Sequence, residues 1–185
     1  EKGFLMVSLW SGLGGTYYYP EPEHRDEILR FLDTCREQGV SRLVPYVPRR
    51  DTIFRYAGPR PAAAQHCPRK TLADYYREQG WDPFGFLVGE AVKRGIAVHP
   101  YWAVFYAGVR VPDWNAKYPR QLPVLSISRW ADVHPEMWRQ TRSGRSSLEE
   151  AGYVILSPGF PAVREREIAL FKELVEGYPI AGITL

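Results

Sequence analysis

Along the chain, largely apolar segments alternate with segments in which apolar residues recur every three or four positions. Four largely apolar runs predict strands: residues 3–10, 41–48, 96–102 and 180–185, the first of which is typical of a strand buried on both faces. Three segments between them have apolar residues at spacings of three and four, which is typical of amphipathic helices: 23–38, the stretch from Asp82 to Gly95, and 161–176. The resulting order, β-α-β-α-β-α-β, predicts an α/β fold with a parallel sheet.

Capping residues and apolar positions predict where the helices end and which side they bury. Gly39 stands where a glycine commonly ends a helix, and Asp82 followed by Pro83 is typical of a helix start. The side chains expected to face the core are Ile28, Leu32 and Cys35 in the first helix, Phe86, Leu87 and Val92 in the second, and Val163, Phe171, Leu174 and Val175 in the third.

The connections are strongly asymmetric in length. The links from helix to following strand are short, whereas those from strand to following helix are long: 11–22, 49–81 and 103–160. Long loops after successive strands are typical of a (β/α)8 TIM barrel, which builds its active site there, and they favour it over an open doubly wound sheet. A barrel has eight strands. We therefore predict that residues 1–185 form a single domain, the N-terminal half of a TIM barrel with about four β/α units, truncated after strand 4.

Composition excludes several classes of partner. The net charge is only +3, and the short basic clusters lie among acidic residues, so we expect no nucleic-acid partner. One such cluster, Arg164 and Arg166 with Glu165 and Glu167, predicts a solvated face. No apolar run approaches the roughly 20 residues of a membrane span. Cys35 is expected to be a core residue, and whether it bridges to Cys67 stays open, as does the redox compartment.

Two motifs that would indicate a cofactor are incomplete. The segment SGLGG, at 11–15, is not a G-x-G-x-x-G fingerprint, because Tyr17 stands where the third glycine is required. The four histidines, at 24, 66, 99 and 134, include no pair at metal-ligand spacing. We therefore expect neither a cofactor nor a metal ion.

Four stretches carry a resemblance to a known family: GFLMVSLW at the start, VPYVPRRDTIFRY at 44–56, GWDPFGFLVGEAVKRGIAVHPYW at 80–102, and LSPGFPAVREREIALFKELVEGYPIAGITL at 156–185. Their order and spacing resemble the glycosyl-hydrolase-like family 10 domains. The resemblance implies a bacterial, often exported, TIM-barrel glycosidase that acts on an oligosaccharide or polysaccharide, with cell-wall glycan among the substrates. Residues 99–103 depart from the family, which commonly has an Asn or Ser after the aromatic residue, so one polar contact to substrate is not expected.

Glycoside hydrolysis requires two carboxyl groups that flank the scissile bond. Asp51 is the only carboxylate placed just past a predicted strand, and the adjacent Arg49 and Arg50 favour an ion-paired residue over a general acid. The carboxylates of the third long loop are expected to be solvated: Asp113, Asp132, Glu136, Glu149 and Glu150. The catalytic carboxylates are therefore unknown and expected beyond Leu185, and the resemblance implies that an Asp follows it.

The residues expected to line a substrate cleft are Arg49, Asp51, His99, Tyr101 and Trp102. His99 is either a satisfied core histidine or a hydrogen-bond partner for a sugar hydroxyl. Aromatic residues make up 14% of the chain, and aromatic rings in loops form platforms on which sugars or bases stack. Some rings near the strand ends, including Tyr46, must simply pack. Two roles stay as alternatives for Trp114, Trp130 and Trp138: a platform on which a sugar stacks, or packing over the top of the barrel.

These patterns predict a glycoside hydrolase-like protein whose 185-residue portion lacks its catalytic carboxylates. One alternative is a non-catalytic barrel that binds carbohydrate. A phosphate-handling barrel enzyme would require a glycine-rich phosphate loop late in the barrel, beyond the residues given. The sugar, the linkage, the stereochemical outcome and the oligomeric state are not determined by the sequence.

Overall fold

The computed structural model describes residues 3–7, 25–45, 80–109 and 128–185. Within the chain, contacts define two units. The first unit comprises residues 1–47, 80–102 and 174–185, and the second comprises residues 48–79 and 103–173.

A parallel sheet with two helices makes up the described part of the first unit. Its elements are β1 (Gly3–Val7), α1 (Arg25–Glu37), β2 (Val40–Pro45), α2 (Pro83–Lys93) and β3 (Ala97–Val98). The strand order is β1-β2-β3, and both pairings are parallel, with Leu5 opposite Leu43 and Leu43 opposite Val98. The predicted alternation of strand and helix with a parallel sheet is confirmed for these elements.

The predicted fourth strand, 180–185, pairs with β3 over a short stretch. Thr184 forms a parallel bridge with Tyr101. The N–H groups of Ala181 and Thr184 donate to the carbonyls of Val98 and Pro100, each at 2.9 Å. The N–H of Trp102 returns a hydrogen bond to the carbonyl of Thr184 at 2.8 Å. Pro100 has no N–H to donate on this side, and the missing hydrogen bond limits the pairing to an isolated bridge.

The two helices of the first unit begin and end largely as their capping residues predict. Asp82 is the N-cap of α2 and accepts a hydrogen bond from the N–H of Gly85 at 2.7 Å. Gly39 has a φ of +73°, a left-handed conformation that a glycine adopts without strain. In α1 the predicted core residues Ile28, Leu32 and Cys35 are all buried, and Cys35 is a free thiol whose pKa is raised by burial.

One predicted core position in α2 is wrong. Val92 is 46% exposed, whereas the buried positions are Phe84, Leu87, Val88 and Ala91. Because successive helical residues are rotated by about 100°, Val92 faces away from the side on which Ala91 lies. Phe86 is half-buried.

The predicted loop 103–160 contains regular structure in its described part, so that prediction is wrong there. The elements of the second unit are β4 (Tyr106–Val109), α3 (Arg129–Asp132), a 3₁₀ turn (Pro135–Met137), α4 (Ser147–Ala151), β5 (Tyr153–Ile155) and most of α5 (Pro161–Gly177). Strands β4 and β5 are antiparallel. Their core consists of Ala107, Ala131, Trp138, Val154, Leu156 and Val163. The strands are too short to produce an alternation that the sequence pattern can reveal.

In α5 the buried side is rotated slightly from the predicted one. Val163 and Leu174 are buried as predicted, but Val175 is 57% exposed and Leu170 is buried in addition. Phe171 is half-buried. Among the helices in the described ranges, none is long and apolar enough to cross a membrane.

Candidate functional site

His99 and Tyr101 lie on one face of the parallel sheet, just past β3. Successive residues of a strand point to opposite faces. Residues 98, 100 and 102 are buried, whereas 97, 99 and 101 are half-buried. Since Val98 is opposite Leu43 and both are fully buried, the face of His99 and Tyr101 is the other, more open one.

The backbone at these residues continues the sheet. The N–H of His99 donates to the carbonyl of Leu43, and the N–H of Tyr101 donates to the carbonyl of Pro45, both at 2.8 Å. These bonds fix the two residues beside the carboxyl end of β2. In a parallel sheet the carboxyl ends of the strands meet at one edge, which is where α/β folds place their ligands.

The His99 ring has the properties of a group available to a ligand. It is half-buried, and it has no hydrogen-bond partner among the described residues. Both alternatives for His99, a core histidine and a partner for a sugar hydroxyl, stay predictions. A neutral imidazole has one donor and one acceptor nitrogen, and both can bind a hydroxyl.

Trp102 packs in the interior and has an exposed fraction of 1%. The ring of Trp102 is therefore part of the hydrophobic core. A contact between Trp102 and substrate stays a prediction that requires its side chain to move. Arg49, Asp51 and Tyr46, together with Cys67, Asp113 and Trp114, lie outside the described residues.

Two carboxylates of the second unit, Glu149 and Glu136, have partners close to them in sequence. Glu149 accepts hydrogen bonds from the N–H and hydroxyl of Ser146, at 2.7 and 3.0 Å, and forms a capping box at the start of α4. The backbone N–H of Ser146, followed by its hydroxyl, lowers the pKa of Glu149. Glu136 lies 3.0 Å from Nδ1 of His134, and the pKa of Glu136 is lowered first by its own N–H and then by His134.

The prediction of solvated carboxylates is confirmed for Glu136, Glu149 and Glu150, which are all exposed. Asp132 is half-buried in α3. The capping role of Glu149 could be predicted from Ser146, because Ser followed three residues later by Glu is the capping-box pattern.

Two tryptophans of the second unit pack within it. Trp138 has an exposed fraction of 8%, and its indole N–H donates to the carbonyl of Ala131 at 2.8 Å. The half-buried Trp130 ring lies 5.0 Å from the guanidinium of Arg166 and 4.7 Å from the ring of His134. Both rings therefore pack against residues of the second unit.

The predicted solvated face at Arg164–Glu167 is wrong for two of its residues. Arg166 and Glu167 have exposed fractions of 7% and 3%. Arg166 donates to the hydroxyl of Ser128 at 3.3 Å and lies 3.8 Å from the carboxylate of Glu167. A signal was present in the sequence, since positions 163, 166, 167, 170 and 174 have the spacing of one helix face.

Solved structures of glycoside hydrolases resemble this mixed α/β fold. A noncanonic maltogenic α-amylase, AmyB from Thermotoga neapolitana, is 13% identical with a TM-score of 0.54, and the match covers 97% of this chain and 37% of that one. The GH36 α-galactosidase AgaB from Geobacillus stearothermophilus is 15% identical with a TM-score of 0.56, over 98% of this chain and 20% of that one. At these identities the likeness defines the fold: it is a fold found in glycoside hydrolases.

The profile of the family described as Glycosyl hydrolase-like 10 matches residues 57–185. The chain belongs to this family, so the predicted family is confirmed, and the motifs at 80–102 and 156–185 lie within the matched region. Glycosyl hydrolase DigH from Escherichia coli is 27% identical over 106 residues, which are 56% of this chain and 22% of that protein. The matched region therefore spans about a fifth of the length of this curated relative.

Proposed function

We propose that this chain is part of the TIM-barrel domain of a glycoside hydrolase that acts on an oligosaccharide or a polysaccharide. Its family and the curated relative named a glycosyl hydrolase support the activity class. The α-amylase and α-galactosidase neighbours support carbohydrate as the substrate class. Cell-wall glycan, which the family resemblance implies, is a further candidate. The domain spans residues 1–185 and continues into further β/α units.

The order of the parallel segments supports a barrel. β1, β2, β3 and residues 181–184 are neighbours in the same order as in the sequence, and each pairing is parallel. An open doubly wound sheet reverses its order at a switch point, whereas a barrel adds each strand beside the last.

One observation carries the proposed binding site: the half-buried imidazole of His99, which has no hydrogen-bond partner among the residues that the structure describes, lies on the same open face as Tyr101, at the carboxyl end of the sheet. The imidazole binds a sugar hydroxyl, and the tyrosine contributes an amphipathic ring against which a sugar packs. Arg49 and Asp51 follow β2 in the chain, and we place them at the same edge.

Binding of defined oligosaccharides to the intact protein tests this site. Isothermal titration calorimetry with maltoheptaose, a galacto-oligosaccharide and a soluble peptidoglycan glycan strand identifies the probe that binds. His99→Ala should weaken binding of that probe about two- to tenfold, as expected for the loss of one neutral hydrogen bond. His134→Ala, which changes a histidine of the second unit, is the matched control and should bind as wild type. Equal affinity in wild type and His99→Ala would refute the site.

A non-catalytic carbohydrate-binding barrel is the second candidate. It is favoured by the described residues at this edge, where His99, Tyr101 and Thr184 include no carboxylate. Release of reducing ends from the bound oligosaccharide by the intact protein separates the two candidates. Hydrolysis that persists in dilute, highly purified protein supports the enzyme, and binding without any release of reducing ends supports the binding module.

A further inference from the structure

Gly182 lies next to His99, on the segment that pairs with the residues after β3. The segment 181–184 runs parallel to β3, and Thr184 is opposite Tyr101. The N–H groups of Ala181 and Thr184 donate to the carbonyls of Val98 and Pro100, so Gly182 lies between these two hydrogen bonds, beside His99.

The imidazole of His99 occupies the space that a side chain at residue 182 would take. A Cβ atom on Gly182 would lie 2.9 Å from Nδ1 and 3.0 Å from Cε1 of His99. These separations are shorter than a carbon atom in van der Waals contact allows, at about 3.5–4.0 Å. One edge of the ring therefore rests on the backbone of Gly182.

The backbone conformation does not explain a glycine at this position. Gly182 is not among the described residues with a positive φ, so other residues can adopt its conformation. At Gly39, by contrast, φ is +73° and a Cβ would have nothing within 4 Å. The steric reason for the glycine at 182 is thus the His99 ring.

The backbone of His99 cannot easily yield to a larger neighbour. Its N–H is bonded to the carbonyl of Leu43, and the following residue, Pro100, restricts His99 to extended conformations. A side chain at 182 would therefore be accommodated by rotation of the imidazole about its own torsions. Such a rotation moves both ring nitrogens.

We infer that Gly182 is a positioning residue that holds the His99 imidazole in the orientation in which it binds the glycan. The inference rests on the proposed sugar-binding function of His99. Gly182 has no side chain, and it acts by leaving free the space that the imidazole occupies.

A double-mutant cycle in the intact protein tests the inference, with Gly182→Ala, His99→Ala and the double variant. The imidazole resonances of His99 are those that disappear in the His99→Ala spectrum. Gly182→Ala should shift these resonances and weaken binding of the oligosaccharide probe about two- to tenfold. In the His99→Ala background the same substitution should cause no further loss. Gly89→Ala, at a glycine with nothing within 4 Å of the added Cβ, is the matched control and should change neither measurement.

The outcomes separate this inference from the proposed function. Unchanged His99 resonances in Gly182→Ala, or a binding loss that persists in the double variant, would overturn the positioning role. If Gly182→Ala fails to fold but the double variant folds, the steric relation is supported. If both variants fail to fold, the backbone requires a glycine at 182 independently of His99, and the inference is wrong. If Gly182→Ala shifts the His99 resonances but His99→Ala does not change binding, the sugar site is refuted and the steric contact between Gly182 and His99 is retained.

Discussion

Replacing Asp82 by alanine removes two hydrogen bonds, one within the first turn of α2 and one to a residue distant in sequence. One carboxylate oxygen accepts from the N–H of Gly85 at 2.7 Å, and the other accepts from the hydroxyl of Tyr178 at 3.1 Å. Tyr178 is 4% exposed, and its ring packs edge-on against Phe84 at 4.9 Å. The substitution therefore affects a helix cap and a buried polar contact together.

The expected cost follows from the two interactions. Loss of an N-cap side chain costs about 1 kcal/mol. Removal of an acceptor from a buried hydroxyl costs about 1–3 kcal/mol. Asp82→Ala should therefore lower the free energy of unfolding by about 2–4 kcal/mol, measured by urea denaturation with circular dichroism detection. Asp82→Asn, which retains a capping oxygen, should lose less.

Tyr178→Phe isolates the second interaction because it removes the hydroxyl and keeps the ring. It should cost about 0.5–1.5 kcal/mol, and Asp82→Ala should cost less in this background than in wild type. Strict additivity of the two substitutions would show that the 3.1 Å contact contributes nothing. A free energy of unfolding for Asp82→Ala within about 0.5 kcal/mol of wild type would refute both the capping and the hydroxyl arguments.

Four further substitutions have predicted effects on stability. Trp102→Ala should cost about 3–5 kcal/mol in urea denaturation, because the ring is buried, and a folded variant with only a binding defect would contradict the core role. Gly85→Ala should destabilise by about 1–3 kcal/mol, since its Cβ would lie 2.5 Å from a carboxylate oxygen of Asp82. Gly89→Ala should stabilise α2 by about 0.5–1 kcal/mol. If Gly85→Ala and Gly89→Ala changed the free energy of unfolding in the same direction, this packing would be contradicted. The pKa of Glu149 is lowered in the folded state. Its contribution to stability is therefore present above the ordinary glutamate pKa of about 4.3, and it is lost as the pH falls through the pKa of the folded state. Glu149→Gln should therefore reduce the acid dependence of the unfolding midpoint, and an unchanged dependence would argue against the capping box.

The sequence predicted those features whose causes lie within a few residues. The N-cap at Asp82 and the terminating glycine at Gly39 depend on hydrogen bonds and torsions within one helical turn, and both are present. The family could likewise be identified from motifs in order. The common face of His99 and Tyr101 follows from strand alternation alone, since the two residues are separated by one.

The tertiary structure decided which side of each helix is buried and which distant segments meet. Val175 is exposed although apolar, and Arg166 is buried although charged, because burial depends on where the neighbouring elements lie. The short strands β4 and β5 gain their stability from pairing with each other, so neither is evident in its own sequence. The contact between Gly182 and His99 depends on the register of a fourth parallel segment. Local patterns determine local structure, whereas register and packing arise from energies shared between residues far apart in the chain.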